Sequence, residues 1–191
     1  RVWDPCAALA SEGTWLLEAS AGTGKTWQLA SLVARLVVEQ RLPIEKILVI
    51  TFTNNATAEL RHRVRARIAE VRDTLQALVH DPERSADVGE PSAENGEWDL
   101  VLRHLCVGPA VDSGHSEHSR DERAARLSRA KIALSSFDLA PISTIHGFCQ
   151  RMLDTLAFES GQDADLELME DLGALRDRFV GDAIAQVQAT A

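Results

Sequence analysis

Hydrophobic positions along this chain alternate between two periods. From Thr23 onward, Leu29, Leu32, Val33, Leu36 and Val37 recur three or four residues apart, which predicts a helix running to about Gln40. Ahead of it, "TWLLEA" (Thr14 to Ala19) has the length and content of a short buried strand. "RLP" (Arg41 to Pro43) punctuates the pattern. "KILVITFT" (Lys46 to Thr53) follows, a β-branched apolar run of the kind buried on both faces of a parallel sheet. Leu60, Val64, Ile68, Val71, Leu75 and Leu78 then trace one face of a long helix. Strand, helix, strand, helix predicts an α/β sheet with right-handed crossovers.

The pattern lapses between Asp81 and Glu97, where acids, prolines and glycines leave little to bury and an exposed loop is expected. A short helix near Trp98 to Cys106 comes next, then a second polar loop, "GPAVDSGHSEHSRDE", and a helix over Arg123 to Ser136. "APISTIHG" (Ala140 to Gly147) returns to strand character and "FCQRMLDTLAF" reads as a helix. From Glu170 onward, Leu172, Leu175, Phe179, Ala183, Ile184 and Val187 share one face, which predicts a final amphipathic helix. There is no internal repeat.

Bulk properties narrow the class. The 191 residues fit one domain with an insertion, and a core of that size needs no staples. A formal charge of −9 excludes a polycation built for nucleic acid, so any DNA contact needs a local basic face. The three cysteines, Cys6, Cys106 and Cys149, form no C-x-x-C pair, which supports neither a disulfide framework nor a zinc knuckle and fits a reduced, cytoplasmic setting. No secretory signal or apolar run of membrane-spanning length is present in the sequence. The first residue is Arg1 rather than Met, so a piece of a longer product is expected.

The junction "ASAGTGKT" (Ala19 to Thr26) has the spacing G-x-x-x-x-G-K-[ST] with Ala19 in the first glycine's place. Gly22 and Gly24 permit a tight backbone, and the N–H groups from about Gly22 to Thr26 can turn inward at a helix N-terminus, where an anion is favoured. Lys25 then reaches the β- and γ-phosphates of a nucleotide, and the Thr26 hydroxyl ligates Mg²⁺. Trp27, directly after the loop, either stacks on a nucleobase or packs against the sheet.

Two further stretches carry chemistry. "TFTNNATAELRHRV" starts at the end of the second strand, where ligands of open parallel sheets bind. It offers Thr51, Phe52, Thr53 and Asn54 to phosphodiester and base, followed by Arg61, Arg63, Arg65, Arg67 and Arg72, most of them expected on a solvated face. "STIHGFCQRML" repeats the arrangement with Thr144, His146 and Phe148. The polar loop holding His115, His118, Asp112 and Glu117 lacks the supporting partners of a metal site, and none is expected there.

Taken in order, "LLEASAGTGKT", "ILVITFTNNATAELRHRVRARI", "STIHGFCQRML" and "AFESG" resemble the first motor domain of superfamily 1 DNA helicases of the UvrD/Rep/PcrA group, and within it the RecB family of exodeoxyribonuclease V β subunits. Alanine at the first glycine position is common in that family. The resemblance implies a P-loop NTPase (RecA-like) parallel sheet flanked by helices, with a helical insertion or extension. The motor domain would cover residues 1–158, with a variable excursion at 81–122, and residues 159–191 would begin an inserted helical subdomain. It implies ATP and Mg²⁺ as cofactors. Ser20, Ala21, Gly22, Thr23, Gly24, Lys25 and Thr26 would sit around the phosphates, and Trp27 beside the nucleotide. Thr51, Phe52, Thr53, Asn54, Thr144, His146 and Phe148 would contact single-stranded DNA. Partners implied are single- and double-stranded DNA and RecC- and RecD-like subunits, with no membrane.

A hydrolysing motor also needs a strand ending in Asp-Glu to hold Mg²⁺ and orient water. Neither "SSFDLAP" nor "DLELMEDLG" qualifies, so the expected behaviour is nucleotide binding without turnover. An AddA-like helicase–nuclease is the near alternative. A small-molecule P-loop kinase shares the phosphate loop but leaves "TFTNNATAEL" and "STIHGF" unexplained, and a non-catalytic nucleotide-binding module is a further reading.

Overall fold

A computed structural model describes residues 4–7, 9, 13, 14, 16, 18, 24–83, 88, 99–108, 118–160, 173, 179 and 180. The chain divides into two compact units, Arg1–Thr144 and Ile145–Ala191.

In the first unit the order is α1 (Lys25–Val38), β1 (Val49–Thr51), α2 (Asn54–His80), α3 (Leu100–Cys106), α4 (Arg120–Ser135) and β2 (Ile142–Thr144). Short 3₁₀ turns at Ile44–Lys46 and Phe137–Leu139 precede the two strands. β1 and β2 pair in parallel, Val49 with Ile142, Ile50 with Ser143 and Thr51 with Thr144. This is a helix-rich α/β unit with a small parallel sheet.

The caps explain where the helices begin. The Thr53 side chain accepts from the Ala56 N–H and opens α2 six residues before its first apolar position, Leu60. Ser119 accepts from Glu122 N–H, a Ser-x-x-Glu start that carries α4 back to Arg120. Asp99 accepts from Leu102 N–H at 2.8 Å and opens α3. At the other end of α1, Arg41 takes a left-handed φ of 63° and Leu42 N–H returns to the Leu36 carbonyl, which stops the helix before Pro43.

α2 is the central element and packs against α1, α3, α4, β1 and β2. Its stripe of Leu60, Val64, Ile68, Val71, Leu75 and Leu78 meets Val33, Val37 and Val38 of α1 and Leu127, Ala130 and Ala133 of α4 in one buried cluster. Arginines then tie the elements together, Arg126 and Arg129 at helix C-terminal ends and Arg61 at a strand. Arg126 Nη1 donates to the Leu105 carbonyl at 3.0 Å, Arg129 donates to the Val38 carbonyl, and Arg61 donates to the Ile142 carbonyl at 3.0 Å. Cations at C-terminal carbonyls satisfy orphan acceptors and oppose the negative end of the helix dipole.

In β1 Val49 is buried while Ile50 and the preceding Leu48 are exposed; in β2 Ile142 and Ser143 are both buried. The strand expected over Thr14 to Ala19 is not found at Thr14, Leu16 or Glu18, and Leu16 is 84% exposed; residues 15, 17 and 19 lie outside the described set. An apolar run becomes a buried strand only where a neighbour completes its ladder and a helix covers it, and Leu16 has no such cover.

Arg35 closes the unit near its N-terminal segment. Its guanidinium donates to both carboxylate oxygens of Glu39, at 2.7 and 3.0 Å, and to the Pro5 carbonyl at 2.7 Å, while His104 stands 3.5 Å from Glu39. Burial alone would raise the Glu39 pKa, but hydrogen bonds from His104 and Arg35 and their charges outweigh it, and it falls from 4.5 to about 2. A depressed carboxylate stabilises the fold while ionised. Its contribution is therefore complete above about pH 4.5 and is lost on going down to about pH 2. Thermal melts across that window should show a steep loss of stability that Glu39→Gln flattens; an unchanged slope in the variant would remove Glu39 from the account.

The second unit contains α5 (Ile145–Ser160), and residues 173, 179 and 180 are helical. Among the described residues no helix is long and apolar enough to cross a membrane.

Candidate functional site

Gly24 occupies the N-cap of α1 with φ 79° and ψ 19°, a left-handed conformation, and no side chain caps the helix. A Cβ built at Gly24 would meet nothing within 4 Å, so space does not demand glycine there; the backbone angle does. The first turn of α1 carries no acid. Its leading N–H groups lack intrahelical acceptors, and the sequence supplies Lys25 and Thr26 in place of a capping carboxylate. That combination suits an anion with several oxygens. Ser20, Ala21, Gly22 and Thr23 lie outside the described residues.

Lys25 is exposed, Thr26 half-buried, and Trp27 40% exposed. The Arg67 guanidinium of α2 lies over the Trp27 ring, 4.9 Å from its centroid. Trp27 lines a groove of about 570 Å³ between α1 and α2.

The second cluster lies at the C-terminal edge of the sheet. Because the register pairs Thr51 with Thr144, the starts of the "TFTNN" and "STIHG" stretches stand side by side. Thr51 Oγ1 is hydrogen-bonded to Thr57 Oγ1 and donates to the Thr53 carbonyl at 3.2 Å. The Thr53 hydroxyl oxygen accepts from Ala56 N–H at 3.1 Å, which leaves its proton to donate. Phe52, between them, is 81% exposed, and Asn54 is exposed at the first position of α2. A hydroxyl donor beside a free aromatic face has the ingredients for phosphate and base. His146 and Phe148 fall on α5 in the second unit, His146 exposed and Phe148 half-buried.

The arginines of α2 divide. Arg63 pairs with Glu59, Arg65 faces Asp138 at 3.8 Å, and Arg72 pairs with Asp73, all on the outer surface. Arg61 and Arg67 turn inward, Arg61 to the β2 carbonyls and Arg67 to both oxygens of Asp99 at 2.6 and 2.7 Å. Arg67 was legible as an inward residue, since it falls three positions after Val64 on the apolar stripe. Arg35 and Glu39 have the i, i+4 spacing of a helix pair, but their partners Pro5 and His104 carry no local signal.

The three cysteines are free; burial pushes the Cys106 thiol up to about 12, well outside the reactive range. Among the described residues no cluster of metal-ligating side chains is present; His115, Asp112 and Glu117 lie outside them.

Comparison with known proteins agrees with this geometry. The model of the UvrD/REP helicase N-terminal domain matches residues 4–189. The chain is 37% identical over 174 residues to the RecBCD enzyme subunit RecB of Haemophilus influenzae, covering 87% of this chain and 13% of that protein. It is 39% identical over 175 residues to RecB of Mycobacterium tuberculosis (91% and 14%), and 36% identical over 173 residues to RecB of Escherichia coli K12 (86% and 12%). The chain thus spans roughly an eighth of the length of these relatives. With a matching model over nearly its whole length, a left-handed glycine opening the helix that starts at Lys25, and the two edge stretches in register, the chain belongs to the UvrD/REP helicase N-terminal domain family.

Proposed function

We propose that this chain is the ATP-binding part of a RecB-like DNA helicase, in which nucleotide turnover drives translocation on single-stranded DNA. The carrying observation is the left-handed Gly24 at the head of α1, directly followed by Lys25 and Thr26. The residues present fit a nucleotide with its magnesium: an acid-free helix start, an ammonium and a hydroxyl. Bound Mg-ATP supplies the free energy of the cycle. The chain's own residues hold it. The loop and first-turn N–H groups receive phosphate oxygens, Lys25 offsets their charge, Thr26 offers an oxygen to the metal, and Trp27 offers an aromatic surface.

At the sheet edge, Thr51, Phe52, Thr53, Asn54 and Thr144 receive a DNA strand; His146 and Phe148, on α5 of the second unit, are DNA contacts of that unit. Ligand sites at the carboxyl ends of parallel strands follow from the way helix N-termini and loops gather there. The sequence holds no apolar strand ending in Asp-Glu, so this chain binds nucleotide and leaves the attacking water unoriented. In the whole protein the partners are DNA and RecC- and RecD-like subunits, the setting is cytoplasmic, and the process is double-strand-break repair by an exonuclease V.

Calorimetric titration of Mg-ATP into the chain and into Lys25→Ala tests this, with phosphate release followed with and without oligo-dT. Loss of one charged hydrogen-bonding partner should weaken binding about ten- to a hundredfold, with no turnover in either case. Equal affinity in the two proteins would exclude the phosphate loop as the site. DNA-stimulated turnover would exclude the role of a binding half-site.

A further inference from the structure

Arg67 is a buried cation of α2 held by two carboxylates. It is 4% exposed, and its Nη1 and Nη2 groups donate to the two oxygens of Asp99, with Nη1 also donating to Glu70 at 2.7 Å. Burial alone would weaken its hold on its proton, but Asp99 and then Glu70 outweigh that, so it stays charged. Asp99 is itself fixed as the cap of α3 by Leu102 N–H. The guanidinium held this way lies over the Trp27 indole, and a desolvated cation over an aromatic face is the stronger form of that contact. Trp27 is 40% exposed and lines the groove together with Ala30, Glu59, His62 and Ala66.

We infer that Arg67, clamped by Asp99, is a positioning residue that fixes the Trp27 ring as the platform for the nucleotide's base. The inference rests on the nucleotide-binding reading above. A free indole on the first turn of a helix must be ordered when a base stacks on it, whereas a ring already held against a guanidinium spares that ordering. The clamp also links the nucleotide groove to α3, since the carboxylate that holds Arg67 is the one that starts that helix.

The test compares Mg-ATP with Mg-tripolyphosphate, which has the phosphates and no base, on the 191-residue chain and three variants. Asp99→Asn keeps a capping oxygen for Leu102 while removing the ionic clamp, Arg67→Lys keeps the charge while losing the fork, and Trp27→Ala removes the platform. Stacking energies predict that Asp99→Asn and Trp27→Ala weaken ATP by about three- to tenfold and leave tripolyphosphate within about twofold. Arg67→Lys should fall between wild type and Asp99→Asn. Helical circular dichroism at the titration temperature reports whether each variant is folded, and Trp27→Ala carries the comparison if the clamp variants are not. Equal losses for both ligands would assign Arg67 a purely structural role and overturn the inference, as would unchanged ATP affinity. Wild-type chain binding both ligands equally would overturn the base platform while leaving the phosphate loop intact. Wild-type chain binding neither would overturn the nucleotide reading itself.

Discussion

Leu75→Ala is expected to lower the unfolding free energy of the Arg1–Thr144 unit by about 3–5 kcal/mol, the range for deleting a buried leucine whose surroundings do not collapse. Leu75 has no exposed surface and lies about four-fifths of the way along α2, a helix packed against α4 and α1. The buried positions of α4, which packs on α2, include Ala130 and Ala133, and both are already small. Small partners bring the helices close and leave few flexible side chains to refill a void. The outer face supplies the contrast: Arg63→Ala removes an ion pair whose two side chains are each about half exposed and should change stability by less than about 1 kcal/mol. Urea denaturation followed by circular dichroism separates the two, and a Leu75→Ala cost near that of Arg63→Ala would mean that α2 is not the centre of the core.

The second large effect is expected at Arg35. Its side chain is 2% exposed, forked onto Glu39 and bonded to the Pro5 carbonyl, so Arg35→Met leaves a half-buried carboxylate with His104 as its remaining partner. Removing one member of a buried pair costs about 3–5 kcal/mol, because the other charge is left uncompensated. Glu39 keeps some solvent contact, which places this case at the lower end. The double variant Arg35→Met/Glu39→Gln should recover part of the loss, since no charge then remains stranded. A double variant as unstable as the single would point to packing of the arginine stem rather than to its charge.

Much of this architecture was legible in the sequence because it rests on periodicity. The apolar spacing of α1 and α2, the β-branched run around β1 and the strand-to-helix switch at "STIHG" all follow from one-dimensional pattern. The helix start at Lys25 was legible for a different reason, since the glycine, lysine and threonine spacing predicts a helix beginning there. Helix starts were harder. α4 begins at Arg120 because Ser119 and Glu122 form a capping pair, a signal present in the sequence but hidden inside a polar stretch that also reads as loop. The inward arginines were harder still. Arg126 finds the end of α3 and Arg129 the end of α1, and a carbonyl terminus 21 or 91 residues away leaves no mark on the local pattern. Nor does the pattern of "KILVITFT" reveal that only one of its faces is covered here, since apolar content reports how a strand is suited to be buried, not by what.

α2 has a mechanical consequence. At 1.5 Å per residue its 27 residues make a rod about 40 Å long, with Thr51, Phe52 and Thr53 at one end and His80 at the other. Packed along most of its length, such a rod behaves as a lever rather than a string. A tilt of about 5° about the Thr51–Thr57 hydrogen bond carries the His80 end through about 3 Å, roughly the rise of one extended residue. Arg67, about halfway along, travels about half as far, and the indole resting on it travels with it. The tryptophan and the cap of α3 are thus both held at one point of this rod, Arg67, while the strand end sits near its pivot.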